Sequence, residues 1–338
     1  MKAVGFRQGG PIDREDALID IEVADPSPGP RDLIVRVHAV SVNPVDTKLR
    51  GGAKPADEPM VLGYDAAGVV EAVGSEVTLF APGDEVFHAG TVKRPGTNAE
   101  LHAVDERLVG RKPRSIDFAQ AAALPLTGLT AWELLFDRLR VPRGGGEGQS
   151  ILIVNGAGGV GSMLVQLARR LTKLRVIATA SRAESIAWVR QMGAHDVIDH
   201  RAPLHDGLSG IGVKSVDFIA SLAASDRHLP AYARIIAPQG RLALIDDVKS
   251  FDIVPLRQKS VTVAWEGVFT RSIYGTSDMV EQHHALCEIA RLVDEGVLQG
   301  TMTRDLGPMS AAALRQAHAL VETGTAIGKL VLRGIPKS

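Results

Sequence analysis

The sequence contains a single cysteine, Cys287, among 338 residues. One thiol excludes an internal disulfide framework and any zinc cluster built from several thiolates. Aromatic residues make up only 4% of the chain, and no basic stripe is interleaved with them. The chain therefore lacks the usual surface for stacking nucleic-acid bases. The 38 Lys and Arg residues nearly balance the 39 Asp and Glu residues, so no global field attracts nucleic acid or an anionic membrane.

Long hydrophobic runs are also missing. No uninterrupted apolar stretch reaches the roughly 20 residues that span a bilayer, and "MKAVGFRQGG" lacks the apolar core of a secretory signal. We therefore expect a cytoplasmic protein that binds small molecules rather than nucleic acid or membrane. Hydrophobic residues at 45% of 338 predict an ordinary globular protein of two domains.

The most informative segment is the glycine-rich "NGAGGVGS", Asn155–Ser162. It follows the apolar run "ILIV", which is typical of a buried parallel strand, and precedes apolar residues at helical spacing. Its glycines fit G-x-G-x-x-G, which allows a tight turn, the approach of a pyrophosphate and close packing of helix on strand. The pattern predicts a dinucleotide-binding turn, with a merely flexible turn as the alternative. The predicted cofactor contacts here are Gly156, Gly158, Gly159, Val160 and Gly161.

The segments around and after this turn alternate between short apolar, β-branched runs and helical or loop-like stretches. Such alternation predicts a doubly wound parallel sheet, the Rossmann fold, with the cofactor at the carboxyl ends of the strands. Six strands are expected, the number in a full dinucleotide fold. They are Ile151–Val154, Arg175–Ser181, Asp196–Asp199, Ser215–Ser221, Gly240–Asp246 and Ser260–Trp265.

The residues after the second predicted strand distinguish the two nicotinamide dinucleotides. An NAD site usually places Asp or Glu about 20 residues after the glycines, where it binds the ribose 2′-hydroxyl. Here Ser181 and Arg182 take that position, and the nearest acid, Glu184, falls in the next predicted helix. Because a 2′-phosphate needs a cation and no carboxylate, we expect NADP(H) rather than NAD(H). The alternative for Arg182 is a solvated cation at a helix start, which the helix dipole disfavours.

The first 120 residues differ from the middle of the chain. Short β-rich pieces broken by Gly, Pro, Asn and Asp predict a mostly antiparallel β domain. Near the end of the chain, helical periodicity covers about Met279–Val293 and Ala311–Glu322, and "GKLVL" is expected to form a strand that returns to the first domain.

These features, in their order and spacing, resemble the medium-chain dehydrogenase/reductase superfamily over essentially the whole chain. Within it the sequence is similar to the zinc-independent quinone oxidoreductase branch, which includes zeta-crystallin. The subgroup it resembles most is usually called the zinc-binding alcohol dehydrogenase family proteins. The motifs that carry the resemblance are "VSVNPVDTKLRGG", "LGYDAAGVVEAVGSEVTLFAPGDEVF", "AALPLTGLTAWE", "VNGAGGVGS", "ATASRAES", "IAPQGRLALID" and "GKLVL".

The resemblance implies an α/β protein in which a GroES-like β domain is combined with a Rossmann doubly wound parallel-sheet domain. It implies an active cleft between the two domains and a homodimer formed through the last Rossmann strand, near Ser260–Phe269. The expected boundaries are residues 1–121 and 273–338 for the GroES-like catalytic domain and 122–272 for the NADP(H)-binding domain.

The subgroup's name conflicts with its residues. Where the zinc-dependent relatives hold a catalytic metal with Cys, His and Cys, this sequence has Asn43, Tyr64 and Ala123, and only Asp65 offers a carboxylate nearby. The four-cysteine structural lobe is missing as well. Two histidine clusters are better interpreted as surface polar residues and a helical core cysteine, so we predict no metal site. Those clusters are His195, His200 and His205, and His283, His284 and Cys287.

Without a Lewis acid, the chemistry should suit an acceptor that is already electrophilic, such as a quinone or an α,β-unsaturated carbonyl. Hydride from NADPH would leave an oxyanion that hydrogen-bond donors stabilise. By motif position the donors are Asn43, Tyr64 and Thr127. Each also has a purely structural interpretation: Asn43 as a turn former, Tyr64 as a buried aromatic and Thr127 as a helix cap.

Four further residues are assigned from the resemblance. Asp46 is placed in the substrate pocket, where we expect it to orient the Asn43 loop. Trp265 and Phe269 are expected to line the acceptor's side of the pocket, with the subunit interface as the alternative for Trp265. Lys329 resembles the family's C-terminal lysine near the cofactor, with an ordinary exposed lysine as the alternative.

Two other functions stay open. A zinc-dependent alcohol dehydrogenase is the alternative within enzymes, and zinc analysis discriminates it. A non-catalytic NADPH-binding or RNA-binding protein is the alternative from another class, although the dispersed basic residues offer it little support.

Overall fold

A computed structural model of the chain describes residues 1–336, and these form two compact units. The first contains Met1–Leu129 and the chain from Phe269 onward, and the second contains Thr130–Val268. The predicted functional boundaries at 121/122 and 272/273 stay a prediction, and residues 337 and 338 of that prediction lie outside the described part of the chain.

Residues 1–336 contain sixteen strands. They are β1 (Lys2–Phe6), β2 (Ile19–Glu22), β3 (Asp32–Val42), β4 (Met60–Val61), β5 (Ala66–Val73), β6 (Glu85–His88), β7 (Leu101–Asp105), β8 (Val109–Arg111), β9 (Ser150–Val154), β10 (Arg175–Thr179), β11 (Asp196–Ile198), β12 (Val216–Ser221), β13 (Ile236–Leu244), β14 (Thr262–Trp265), β15 (Met302–Pro308) and β16 (Lys329–Arg333).

The same residues contain ten α-helices and three other helical segments. The α-helices are α1 (Pro44–Gly52), α2 (Phe118–Ala122), α3 (Pro125–Trp132), α4 (Gly159–Leu171), α5 (Ala183–Met192), α6 (Leu204–Gly210), α7 (Ser225–Ile235), α8 (Thr270–Tyr274), α9 (Glu281–Asp294) and α10 (Ala311–Glu322). A π-helical segment, Glu133–Arg138, continues α3, and short 3₁₀ helices cover Glu106–Leu108 and Val254–Lys259.

The first unit is built on antiparallel strands, as predicted. Its larger sheet has the order β15-β16-β3-β5-β6-β8, with β7 also paired to β3, and a smaller sheet has the order β2-β1-β4. All of these pairs are antiparallel except β15 with β16. The predicted return of the last strand is confirmed, because β16 pairs with β3 and sets Leu330 opposite Val42.

Helix α1 in this unit was not predicted. Its nine residues include Lys, Arg and two glycines, so the apolar periodicity that identifies longer helices is weak. Its start is nevertheless well defined by local chemistry. Asn43 is the N-cap in an extended conformation, Pro44 occupies the first helical position, and Asp46 accepts from the N-cap backbone. The helix thereby fixes Asn43 and Asp46 directly after β3.

The second unit contains the predicted six-stranded parallel sheet, with the order β11-β10-β9-β12-β13-β14. The chain order reverses at β9, which pairs with β10 on one side and β12 on the other. All five residues of β9 are buried, as expected of a parallel strand covered on both faces. The carboxyl end of β9 is therefore the switch point at which a nucleotide binds in such sheets.

Several strand ends differ from the prediction, most of them by one or two residues. The largest difference is that β13 begins at Ile236 rather than Gly240, and β10 ends at Thr179 rather than Ser181. The early end of β10 leaves Ser181 and Arg182 in the connection that leads into α5. No helix among residues 1–336 combines the length and apolar character needed to cross a membrane.

Candidate functional site

The centre of the candidate site in the first unit is a buried lysine. Because β16 pairs with β3 near Val42, the side chain of Lys329 falls beside the start of α1. Its ammonium donates to the Val42 carbonyl at 3.0 Å and to Asn43 Oδ1, and it lies 3.2 Å from Asp65 Oδ2. Lys329 is 3% exposed, so the alternative of an ordinary exposed lysine is wrong.

Asp65 is the partner of this lysine and is completely buried. Its oxygens accept from Ser41 Oγ at 2.8 Å, from Asn43 Nδ2 at 2.7 Å and from the Leu126 backbone at 2.7 Å. Burial raises the pKa of Asp65 and lowers the pKa of Lys329, and the attraction between the two opposes both shifts. Asp65 therefore connects the end of β3, the N-cap of α1 and the start of α3.

The amide of Asn43 is held at both ends. Its oxygen accepts from Lys329, while its nitrogen donates to Asp65 at 2.7 Å and toward the Ser41 carbonyl at 3.4 Å. The side chain is only 1% exposed. The structure thus brings Asn43 and Lys329 together, and it fixes the orientation of the amide through charged partners on each side.

Asp46 joins two segments of the site. Its carboxylate accepts from the Asn43 backbone at 2.7 Å and from the Gly63 backbone at 3.1 Å, directly before Tyr64. Burial raises its pKa to about 7, against the lowering by these hydrogen bonds and by Lys329. Nothing in the short polar segment "NPVDTK" indicated this complete burial.

Tyr64 differs from its polar neighbours, because its hydroxyl forms no hydrogen bond to any other residue between 1 and 336. The ring is buried and meets Phe269 edge to face, with centroids 5.4 Å apart. Burial, and then the charge of Asp46, raise the pKa of the Tyr64 phenol. The hydroxyl therefore stays protonated at neutral pH and keeps a donor available for a ligand.

The other two residues predicted for substrate or catalysis lie in different surroundings. Thr127 sits in the first turn of α3, where Oγ1 donates back to the carbonyls of Ala123 at 3.3 Å and Leu124 at 3.4 Å. Trp265 ends β14 in the second unit, is half exposed and packs edge to face on Phe251. Among the described residues, the Thr127 side chain forms no hydrogen bond to Asn43, Asp65 or Lys329.

The glycine-rich turn of the second unit links β9 to α4, as predicted. A Cβ on Gly161 would stand 2.5 Å from the Asn155 carbonyl oxygen and 2.6 Å from that of Gly156, so only glycine fits there. Gly158 is the N-cap of α4 and provides no capping side chain. The first-turn N–H groups of α4 are then available to phosphate oxygens, and a nicotinamide dinucleotide fits this turn.

The turn also adjoins the second predicted cofactor segment. The Gly156 N–H donates to the Thr179 carbonyl at 3.1 Å, and the Asn155 N–H donates to Thr179 Oγ1 at 2.9 Å. Ser181 and the exposed Arg182 follow at the end of β10, and Glu184 lies in the first turn of α5, as predicted. The carboxylate typical of an NAD site is absent from the Ser181–Arg182 pair.

One histidine in each of the two clusters is engaged by a backbone group. His195 Nδ1 accepts from the Val176 backbone at 2.9 Å, and His283 Nδ1 lies 2.6 Å from the Val109 carbonyl. Within residues 1–336, no group of three His, Cys, Asp or Glu side chains is arranged to hold a metal ion.

Two buried polar clusters escaped the sequence analysis. In the second unit, Glu266 and Glu133 share Arg138, and burial followed by the charge of Glu133 raises the pKa of Glu266 to about 9. In the first unit, the rings of His88 and His102 stack with centroids 5.0 Å apart, and burial lowers the pKa of both. These residues are scattered in sequence and match no spacing pattern, so only the fold reveals them.

A parallel dinucleotide-binding sheet combined with an antiparallel β unit that carries a buried polar site is typical of dehydrogenases and reductases of two domains. Comparison with known families agrees. The pattern of the family "Alcohol dehydrogenase GroES-like domain" matches residues 29–114, and that of "Zinc-binding dehydrogenase" matches residues 192–332.

Individual relatives cover nearly the whole chain. A zinc-type alcohol dehydrogenase-like protein of Staphylococcus aureus (strain Mu50) is 40% identical over 98% of this chain and 99% of its own. The crystal structure of a candidate zinc-dependent alcohol dehydrogenase from Rhizobium etli CFN 42 has a TM-score of 0.96 and 54% identity over 100% of this chain and 99% of that one. The Escherichia coli quinone oxidoreductase complexed with NADPH has a TM-score of 0.82 and 25% identity over 99% and 100%.

The chain therefore belongs to the medium-chain dehydrogenase/reductase superfamily and is an oxidoreductase. The predicted resemblance to the quinone oxidoreductase branch is confirmed, and so is the resemblance to a subgroup whose name refers to zinc. The predicted fold, a GroES-like domain with a Rossmann domain, is confirmed as well.

Proposed function

We propose that the chain is an NADPH-dependent reductase of quinones or α,β-unsaturated carbonyls that works by direct hydride transfer without a metal. The observation that carries the proposal is the donor set of the first unit. By motif position, Asn43 and Tyr64 stand where the zinc-dependent relatives are expected to place ligands of the metal, and the Lys329 ammonium donates to Asn43 Oδ1. Such groups stabilise a developing oxyanion, whereas they make a poor zinc site.

The glycine turn binds the cofactor in this proposal, and the polar residues of the first unit bind the acceptor. When bound, NADPH supplies the hydride, and the glycine turn with the N-terminus of α4 holds its phosphates. Tyr64 donates to the oxygen of the acceptor as negative charge develops there. Asn43 is the second predicted donor, and Lys329 and Asp65 fix its amide through hydrogen bonds at both ends. Since Lys329 already donates to protein oxygens, we assign it this positioning role, while its predicted contact with the cofactor stays a prediction.

Thr127, Asp46 and Phe269 keep supporting roles in this proposal. Thr127 retains hydroxyl lone pairs that accept hydrogen bonds, since its hydrogen is directed to backbone carbonyls. Asp46 orients both Asn43 and the segment before Tyr64. Phe269 packs against the Tyr64 ring and restricts its rotation.

The most direct test is a screen of quinones, enones, aldehydes and alcohols, each with NADPH and with NADH. We expect turnover of the electrophilic acceptors with NADPH. Turnover of alcohols with NAD⁺ would instead favour an alcohol dehydrogenase. Sub-micromolar RNA binding at near-physiological salt, without any turnover, would favour the non-catalytic alternative.

Chelation tests the absence of a metal step. After treatment with a chelator, NADPH-dependent quinone reduction should be unchanged, because charge stabilisation comes from protein donors rather than from a metal ion. Elemental analysis should find much less than one zinc per chain. Stoichiometric zinc, with activity lost on chelation and restored on adding zinc back, would support the zinc-dependent alcohol dehydrogenase that the relatives' names suggest.

Arg182→Ala tests the choice of cofactor. Loss of a charge-assisted hydrogen bond to the 2′-phosphate should weaken the binding free energy of NADPH by about 1.5 to 3 kcal/mol and leave the Kd for NADH nearly unchanged. Fluorescence titration with both dinucleotides measures the two constants. Equal weakening of both would refute the assignment.

A homodimer and a cytoplasmic location complete the proposal. Strand β14 lies at the edge of the parallel sheet, and Trp265 at its end is exposed, as are Ile253 and Val254 in the preceding segment. An open strand edge with exposed apolar side chains favours pairing with a second copy of the chain. Sedimentation of the purified protein measures the association.

A further inference from the structure

A second arginine lies beside the predicted 2′-phosphate segment. Strands β10 and β11 run parallel, with Thr179 paired to Ile198, so the residues after both strands emerge at the same carboxyl edge. There the Arg201 Nη2 donates to the Ser181 carbonyl at 2.8 Å. The sequence analysis did not single out Arg201, since it lies 19 residues beyond Arg182 and only the strand pairing brings it back.

The guanidinium of Arg201 is held in place by Asp199. Nε donates to Asp199 Oδ2 at 3.0 Å and Nη2 donates to the same carboxylate at 2.6 Å. These hydrogen bonds lower the pKa of Asp199, so the carboxylate is ionised at neutral pH. The pair is exposed, with 64% of the Arg201 side chain accessible. An exposed ion pair of this kind adds little to the stability of the fold. Its position at the carboxyl edge of the sheet is therefore what points to a role in binding.

Asp199 alone would oppose a 2′-phosphate, because a carboxylate at this edge repels a second anion. With Arg201 bound to it, the local charge is neutral, and the planar guanidinium keeps further N–H groups for a phosphate oxygen. The hydrogen bond to the Ser181 carbonyl also places the Arg201 guanidinium beside the residue that directly precedes Arg182.

We propose that Arg201 is a second cation of the 2′-phosphate subsite, positioned by Asp199 and the Ser181 carbonyl, and that it helps to select phosphorylated adenosine. The inference rests on the proposed preference for NADPH and adds a residue to it. In this subsite, Arg182 after β10 and Arg201 after β11 would both bind the 2′-phosphate of the adenosine.

The chain offers a matched control at the opposite end of the same strand. Arg175 begins β10 and forms the same two kinds of contact, with Asp196 at 2.8 Å and with the Ile211 carbonyl at 3.0 Å. Because it lies at the amino edge of the sheet, away from the edge that binds nucleotides, Arg175→Ala removes an equivalent ion pair without touching the proposed subsite.

The experiment measures binding by calorimetry, without turnover, for 2′,5′-ADP, 5′-AMP, NADPH and NADH. Arg201→Ala should raise the Kd for 2′,5′-ADP and NADPH about five- to tenfold, as expected of one exposed charge-assisted contact, with 5′-AMP and NADH unchanged. Asp199→Asn should tighten the binding of 2′,5′-ADP, because it removes the repelling charge while the asparagine oxygen and the Ser181 carbonyl still accept from Arg201. Arg175→Ala should change none of the four constants.

The outcomes separate this inference from the proposed function. If the wild-type protein prefers NADPH but Arg201→Ala behaves like Arg175→Ala, the inference is overturned and the cofactor preference stands. If Arg201→Ala weakens the binding of 5′-AMP and NADH as much as that of 2′,5′-ADP and NADPH, the arginine only maintains the loop. The inference is then overturned as well. A wild-type protein that binds NADPH no better than NADH overturns the cofactor preference itself and the inference with it.

Discussion

Replacing Tyr64 by phenylalanine should lower kcat for quinone reduction about 100-fold while the Kd for NADPH stays nearly constant. Of the three predicted donors, Asn43, Tyr64 and Thr127, only the Tyr64 phenol has no hydrogen-bond partner among residues 1–336, and its raised pKa keeps the proton on the oxygen. The substitution removes only this oxygen, so the ring should still pack on Phe269. Steady-state kinetics with a quinone, together with NADPH titration, separates the two constants.

Tyr274 provides the control for this prediction. It lies in the same unit on α8, and 77% of it is exposed. Tyr274→Phe removes a phenol from the surface and should leave both kcat and the Kd for NADPH unchanged. If Tyr64→Phe has a kcat equal to that of Tyr274→Phe, the Tyr64 hydroxyl does not stabilise the transition state, and the donor has to be sought elsewhere in the chain.

The parts of this protein that follow from local sequence were predictable. The six parallel strands and the glycine turn are encoded in contiguous runs, where β-branched residues and glycines are needed at fixed spacing. Strand β16 was also found, because "GKLVL" is a short apolar run. Helix α1 was missed because its identity depends on an Asn cap and a Pro at the first position rather than on an apolar face.

The polar site depends on contacts between distant segments. Lys329 reaches Asn43 across 286 positions of sequence, and Leu126 donates to Asp65 across 61. A lysine inside an apolar run was a visible signal that one polar group lies in the core, yet its partner follows only from the pairing of β16 with β3. The same applies to Arg201, whose approach to Ser181 depends on the pairing of β10 with β11.

The buried pair of Lys329 and Asp65 leads to the second large expected effect. Lys329→Met should lower the free energy of unfolding by about 3 to 5 kcal/mol, because it leaves the Asp65 carboxylate buried without its counter-charge. Chemical denaturation at neutral pH measures this loss. Lys173 forms an exposed pair with Glu147 at 3.0 Å, so Lys173→Met should cost less than about 1 kcal/mol.

The double variant Lys329→Met/Asp65→Asn distinguishes loss of a charge partner from loss of packing. It removes both charges, so it should be more stable than Lys329→Met alone, with a coupling energy of about 1 kcal/mol or more. A double variant with the summed loss of the two single variants would show that the two groups do not interact as a charge pair.

The pH dependence of the single variant gives an independent check, with a definite sign. Without Lys329, the pKa of Asp65 in the folded state should rise further above its unfolded value, because only burial remains to shift it strongly. An acid with a raised folded pKa binds its proton more readily when folded, so it costs stability above the unfolded pKa, near 4, and less as the pH falls toward that value. The stability deficit of Lys329→Met, relative to the wild type at each pH, should therefore shrink between pH values of about 7 and 5. A deficit that is constant over this range would mean that removing Lys329 does not change the protonation of Asp65 between these pH values, which contradicts a strong charge interaction between the two groups.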